Sequence, residues 1–177
     1  MRFCAPLLAL VLPIIAPSYV HAIYEDEAYK TDYHHALLGV PLPHTTFFHR
    51  PSVASKASLL YTLSEKLILG AVNPRDGSIV WRQRLATGNS TSRSFLRAEE
   101  GGGAIASAVN GEVQAWNAAD GRLDWGWVGA GPVKGLELLS RKGYTDVLVL
   151  NEEGSNGVVR KLASGSGEIV WEHKDER

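Results

Sequence analysis

The chain has 177 residues, of which 45% are apolar and 21% charged, and its formal charge is −1. This composition argues against a disordered or coiled-coil chain. The even charge balance argues against a nucleic-acid groove or a polybasic membrane patch. One cysteine is present, Cys4. It lies in a leader, so the mature chain has no disulfide, thiolate nucleophile or cysteine-bound metal.

Residues 1–22 read as a signal peptide. Arg2 precedes ten apolar residues, Leu7–Ala16, and Val20-His21-Ala22 places small residues at the two positions a signal peptidase reads. A membrane anchor would need about 20 apolar residues, and Pro13 and Pro17 interrupt this run. The chain from residue 23 onward is therefore expected in the lumen of the secretory pathway. His34, His35, His44 and His49 follow near the mature start. Zinc ligands favour spacings of about two to five residues with a second close pair, so these read as structural or solvated histidines. Pro41, Pro43 and Pro51 suggest an extended, irregular linker, and the segment Ile23–Pro51 is expected to add one strand of a closing blade.

The next strand candidates are Ser58–Leu63 and Leu67–Asn73, the latter leading into the turn Asp76-Gly77 and a return through Ile79 and Trp81. The polar stretch Thr87–Ser94 holds the sequon Asn89-Ser90-Thr91, a candidate N-glycosylation site on a surface loop. Ala104–Asn110 and Glu112–Asn117 lead to the turn Asp120-Gly121 and the return through Leu123 and Trp125. Lys134–Ser140, Thr145–Asn151 and Val158–Ala163 then lead to Ser166-Gly167, Ile169 and Trp171. Gly101-Gly102-Gly103 precedes a strand, whereas phosphate loops precede a helix. Trp127 lies beyond the repeat and reads first as a packing residue, second as an exposed interaction aromatic. No segment shows a capped period of 3.6 residues.

The pattern Gly-x-[Ile/Leu]-x-Trp thus occurs three times, with tryptophans 44 and 46 residues apart. Gly77, Gly121 and Gly167 supply the positive φ that hairpin turns require. The period of two places Ile79 with Trp81, Leu123 with Trp125 and Ile169 with Trp171 on one face. Four short strands per unit of about 45 residues is the blade of a β-propeller. The fold class is therefore all-β, with about three four-stranded blades ending near residues 85, 128 and 173. Propellers close with about four to eight blades, and three leave two sheet edges unpaired. The chain reads as the amino-terminal part of a larger propeller.

The turn-and-tryptophan repeat is similar to that of pyrroloquinoline-quinone-like (PQQ-like) propellers. That family includes dehydrogenases, bacterial outer-membrane assembly scaffolds and luminal stress sensors. The mature start, Ile23-Tyr24-Glu25-Asp26-Glu27 followed by Lys30-Thr31-Asp32-Tyr33, resembles the subunit 1 family of the endoplasmic reticulum membrane protein complex. Asp76–Arg82 is similar to that family's first-blade turn. The sequence departs from the pattern at Glu27, Thr31 and Tyr33, where glutamine, phenylalanine and tryptophan are usual.

The resemblance implies a non-catalytic luminal scaffold without cofactor, metal or small-molecule substrate. Its partners would be the other subunits of a complex that inserts transmembrane segments. Membrane association would come through a carboxy-terminal helix this sequence does not contain. Two alternatives carry other implications: a luminal stress-sensor propeller, or a quinone oxidoreductase. The latter would need a complete propeller, carboxylate-held calcium and typically an adjacent cysteine pair. Asp76 and Asp120 read instead as turn formers.

Overall fold

The alternating and doubly apolar runs form strands, and every regular element among the described residues is β. The computed structural model describes residues 38–85, 93–99, 102–141 and 144–175. Its strands are β1 (Pro41–His49), β2 (Leu59–Ser64), β3 (Ile68–Val72), β4 (Ile79–Arg84), β5 (Phe95–Ala98) and β6 (Ala104–Val109). They continue as β7 (Glu112–Asn117), β8 (Leu123–Val128), β9 (Val133–Arg141), β10 (Tyr144–Glu153), β11 (Asn156–Leu162) and β12 (Ile169–Lys174). Neighbours in sequence pair antiparallel, giving three four-stranded sheets in unbroken chain order. All belong to one compact unit, His35–Arg177.

The first strands of successive sheets touch one another, β1 against β5 and β5 against β9. The sheets therefore radiate as propeller blades, with these strands innermost and β4, β8 and β12 outermost. The core lies between blades. Tyr61, Leu63, Leu69 and Ala71 of blade 1 share one apolar cluster with Leu96, Ile105, Val109 and Trp116 of blade 2. Ala106, Ala108, Val113 and Ala115, on the opposite face of blade 2, share a second cluster with Val133, Leu136, Val147, Val149 and Leu162. Blade 2 is thus covered on both faces. That is why Ala104–Val109 shows no polar alternation, as expected for a strand buried on both sides.

Three sequence expectations need correction. Pro41 and Pro43 lie in a strand rather than a linker. β1 is the innermost strand of blade 1, not part of a closing unit. Its pairing with β2 is irregular between Pro41 and Thr46, and His44 has φ of 58°. An irregular edge strand tolerates residues that lack an N–H. The second correction concerns the turns. Val72 pairs with Ile79, leaving six residues in the loop, so this is no two-residue hairpin. The Gly77 N–H donates to the Asn73 carbonyl four residues back at 2.8 Å, and Gly121 and Gly167 repeat that bond to Asn117 and Ala163 at 2.9 Å. Third, a bulge shifts register beside each tryptophan. Leu123 and Ile169 therefore face the side opposite the neighbouring indole, and they are 46% and 48% exposed. β5 had no counterpart among the expected strands, being four residues long.

Candidate functional site

The repeat residues meet at the seams between blades. Trp81, on the outer strand of blade 1, lies over the turn of blade 2, and its indole Nε1–H donates to the Ala118 carbonyl at 2.9 Å. Trp125 reaches the turn of blade 3 in the same way, donating to the Ser164 carbonyl at 2.7 Å. In both cases the acceptor stands three residues before the turn glycine.

That glycine is required twice over. Gly77, Gly121 and Gly167 have φ of 72°, 70° and 72°, in the left-handed region. A Cβ at Gly121 would also fall within the Trp81 indole, and one at Gly167 within the Trp125 indole. The turns are braced by side chains. Asp76 accepts from the Ser78 N–H at 2.9 Å and the Ser78 hydroxyl at 2.7 Å, and Asp120 accepts from the Arg122 N–H at 3.0 Å. The Ser78 bonds hold the Asp76 carboxyl below the usual carboxylate range.

The seam between blades 1 and 2 contains more than the repeat. The Tyr61 hydroxyl donates to the same Ala118 carbonyl at 2.9 Å, its ring 5.9 Å from that of Trp81. Burial pushes this hydroxyl up to about 12. Gln83 Nε2 donates to the Gly121 carbonyl at 3.0 Å, and His49 Nε2 contacts the Gly102 carbonyl at 2.9 Å. His49 is therefore a seam residue.

Between blades 2 and 3 a cation of blade 3 meets an aromatic ring of blade 2, and its ion pairs lie within its own blade. The buried guanidinium of Arg160 lies 5.5 Å from the Trp127 ring centroid. It pairs with Glu153 at 2.7 Å and Glu172 at 2.6 Å. Burial alone would lower the Arg160 pKa, but the two carboxylates outweigh it and raise it. The Arg160 hydrogen bond in turn lowers Glu153. Trp127 is thus a packing residue. Sequence reasoning did not single out Tyr61 or Arg160, because one is a plain strand aromatic and the other a strand cation until the facing blade is in place. The acceptor carbonyls of Ala118 and Ser164 carry no side-chain signature at all.

Trp171 differs from its two counterparts. It is 43% exposed, against 8% for Trp81 and 7% for Trp125. The candidate glycosylation site Asn89, the leader 1–22, and His34 and His35 lie outside the described residues. Among the described residues no three His, Cys, Asp or Glu side chains come together to hold a metal, and no helix is long and apolar enough to cross a membrane.

Comparison with known proteins places this geometry. The chain is 27% identical over 124 residues to the outer membrane protein assembly factor BamB of Yersinia pestis, covering 69% of this chain and 30% of that protein. Among solved structures it is similar to a europium-containing methanol dehydrogenase, with a TM-score of 0.54, 19% identity and coverage of 70% of this chain and 24% of the other. The Cps50 (Swd1) β-propeller domain of Myceliophthora thermophila gives a TM-score of 0.53 at 19% identity, with 77% and 37% covered. At these identities the structural matches speak for the fold alone, a partial β-propeller. The chain spans about a third or less of the BamB relative and of the methanol dehydrogenase. The model of the EMC1 N-terminal beta-propeller domain matches residues 22–177, nearly the whole sequence, and the chain belongs to that family.

Proposed function

We propose that this chain is a non-catalytic, luminal scaffold part of the endoplasmic reticulum membrane protein complex, which inserts transmembrane segments into the membrane. The observation that carries the reading is the family match over residues 22–177. That match begins where the leader is expected to end. The seams support it in kind: their polar groups are spent on holding blade to blade, as a rigid platform requires. Tyr61 and Trp81 of blade 1 share one carbonyl of blade 2, and Arg160 of blade 3 lies against the Trp127 ring of blade 2. Its partners are the other subunits of that complex, and its place is the luminal side of the membrane.

The test is affinity capture of the tagged chain from detergent-solubilised endoplasmic reticulum membranes. Recovery of the complex's other subunits is the expected result, and capture without any of them refutes the assignment. An endoglycosidase-sensitive mass shift lost in Asn89→Gln would place residues near 89 in the lumen. A protein that reaches the lumen without that shift would remove Asn89 as a glycosylation site.

A further inference from the structure

The three glycine turns share a backbone but not the side chains that brace it. In blade 1, Asn73 Oδ1 accepts the Arg75 N–H at 3.0 Å and Asp76 accepts the Ser78 N–H at 2.9 Å. In blade 2, Asn117 Oδ1 accepts the Ala119 N–H at 2.9 Å and Asp120 the Arg122 N–H at 3.0 Å. The turn of blade 3, between β11 and β12, has neither residue: Ala163 stands in place of the asparagine and Ser166 in place of the aspartate. Ser166 Oγ accepts the Glu168 N–H at 3.3 Å, a longer bond to a neutral group where the other blades offer an anion. Gly165 replaces Arg75 and Ala119, which adds backbone freedom, and a Cβ there would meet open space. Yet this least braced turn carries the second seam, since the Ser164 carbonyl accepts the Trp125 indole N–H and Gly167 lies beneath that ring.

We propose that Ser166 is a phosphorylation site, and that its phosphate supplies the anionic brace that Asp76 and Asp120 supply permanently in the other two turns. Ser166 is exposed, with a glycine on either side, so an enzyme can reach it and open the turn locally. Glu168, two residues on and also exposed, suits the site to a kinase that selects an acid at that position. The kinase transfers the terminal phosphoryl group of a nucleoside triphosphate. The bond from Ser166 Oγ to phosphorus forms, the bond from that phosphorus to the bridging oxygen breaks, and the nucleoside diphosphate leaves. The hydroxyl proton passes to the kinase's base. A phosphoserine carries between one and two negative charges at neutral pH and three strong acceptor oxygens. Ser166 Oγ lies 3.3 Å from the Glu168 carboxylate, and that exposed carboxylate turns to solvent when the phosphate arrives, while the Glu168 N–H stays as donor. Its bond to the phosphate is charge-assisted and stronger, so the turn stiffens and the seam between blades 2 and 3 tightens. The inference does not depend on the scaffold reading.

The test recovers the tagged full chain from eukaryotic cells and digests it with trypsin. The peptide 162–174 holds two hydroxyl side chains, Ser164 and Ser166, so fragmentation mass spectrometry locates the phosphate. One phosphate on Ser166 is expected, absent in Ser166→Ala and largely lost in Glu168→Gln. Exchange of the indole N–H groups, followed by NMR, reads the brace. Trp125 is expected to exchange about threefold more slowly in the phosphorylated chain than after phosphatase treatment, and similarly more slowly in Ser166→Asp than in the unphosphorylated parent. Trp81 should keep its rate, because the turn it meets already carries Asn117 and Asp120. Absence of phosphate from Ser166, or a phosphate on this peptide that persists in Ser166→Ala, overturns the site. An undiminished phosphate in Glu168→Gln overturns the acid-directed enzyme. Equal Trp125 exchange with and without the phosphate, or in Ser166→Asp and its parent, overturns the brace, as does a slowing at Trp81 that matches the one at Trp125.

Discussion

Replacing Trp81 and Trp171 by alanine, one at a time, separates a filled seam from an open one. Trp81 is 8% exposed, so truncation removes nearly the whole indole from a packed environment. An aromatic side chain buries about 200 Å², and at about 25 cal/mol per Å² this contributes about 5 kcal/mol. Compactness of the unfolded chain reduces that to about 3–4 kcal/mol. The lost indole bond to Ala118 adds about 1 kcal/mol, but the carbonyl is not orphaned, because Tyr61 still donates to it. Some of the space left would close around the flat Gly121 turn. The expected cost is therefore about 4 kcal/mol, within the range found for large-to-small core changes. Trp171 faces no blade among the described residues, and the cost of Trp171→Ala is expected below about 1 kcal/mol. Urea unfolding followed by far-ultraviolet circular dichroism gives both values, provided the m-value is unchanged. Equal losses for the two variants would refute the account, since they would show that the tryptophans stabilise their own sheets and not the seams.

The remaining expectations concern the same seams. Gly121→Ala forces a Cβ into both a left-handed backbone and the Trp81 indole, and should destabilise by at least about 2 kcal/mol; a thermal midpoint equal to that of the parent would show the turn can move aside. Because Tyr61 and Trp81 share one acceptor, Tyr61→Phe and Trp81→Phe should couple in a double-mutant cycle by about 1 kcal/mol, the second loss leaving the Ala118 carbonyl without its side-chain donors; simple additivity would argue against the shared bond. Arg160→Ala removes the cation stacked on Trp127 and both of its ion pairs and should lower the thermal midpoint, a loss that Arg160→Lys should only partly avoid, since an ammonium cannot reproduce the forked contact; an unchanged midpoint in Arg160→Ala would remove it from the seam's stability. In acid, Asp76 and Glu153 have folded pKa values below their unfolded ones, so they stabilise the fold above the unfolded values and that contribution is lost as pH falls through the folded ones. Glu153→Gln should flatten the acid limb of the stability curve, and an unchanged limb would remove Glu153 from its cause. In alkali the sign reverses for Tyr61: its contribution is complete below the unfolded value of about 10 and is lost as pH rises toward about 12, so spectrophotometric titration should show one late tyrosine that disappears in Tyr61→Phe.

The repeat was legible in the sequence because its physics is local. A left-handed turn needs glycine, Asp76 and Asp120 can brace that turn only from the position beside it, and a tryptophan two residues past the returning Ile or Leu stands out by size. Those features were enough for an all-β reading, the blade length and the propeller class. Local cues misled where irregularity intervened. Prolines disguised the innermost strand Pro41–His49, and the bulge beside each tryptophan displaced Leu123 and Ile169 from the face that strict alternation assigns them. What only the tertiary structure decided is the pairing across seams. Trp81 meets a carbonyl 37 residues away, and no side chain marks Ala118 as that acceptor. Arg160 finds its two carboxylates on neighbouring strands of its own blade, and Trp127 of the preceding blade lies over it. Trp171 closes the same Gly-x-[Ile/Leu]-x-Trp pattern as Trp81 and Trp125, yet it is exposed where they are buried. Burial of an indole depends on the surface brought against it, and that surface belongs to the next blade.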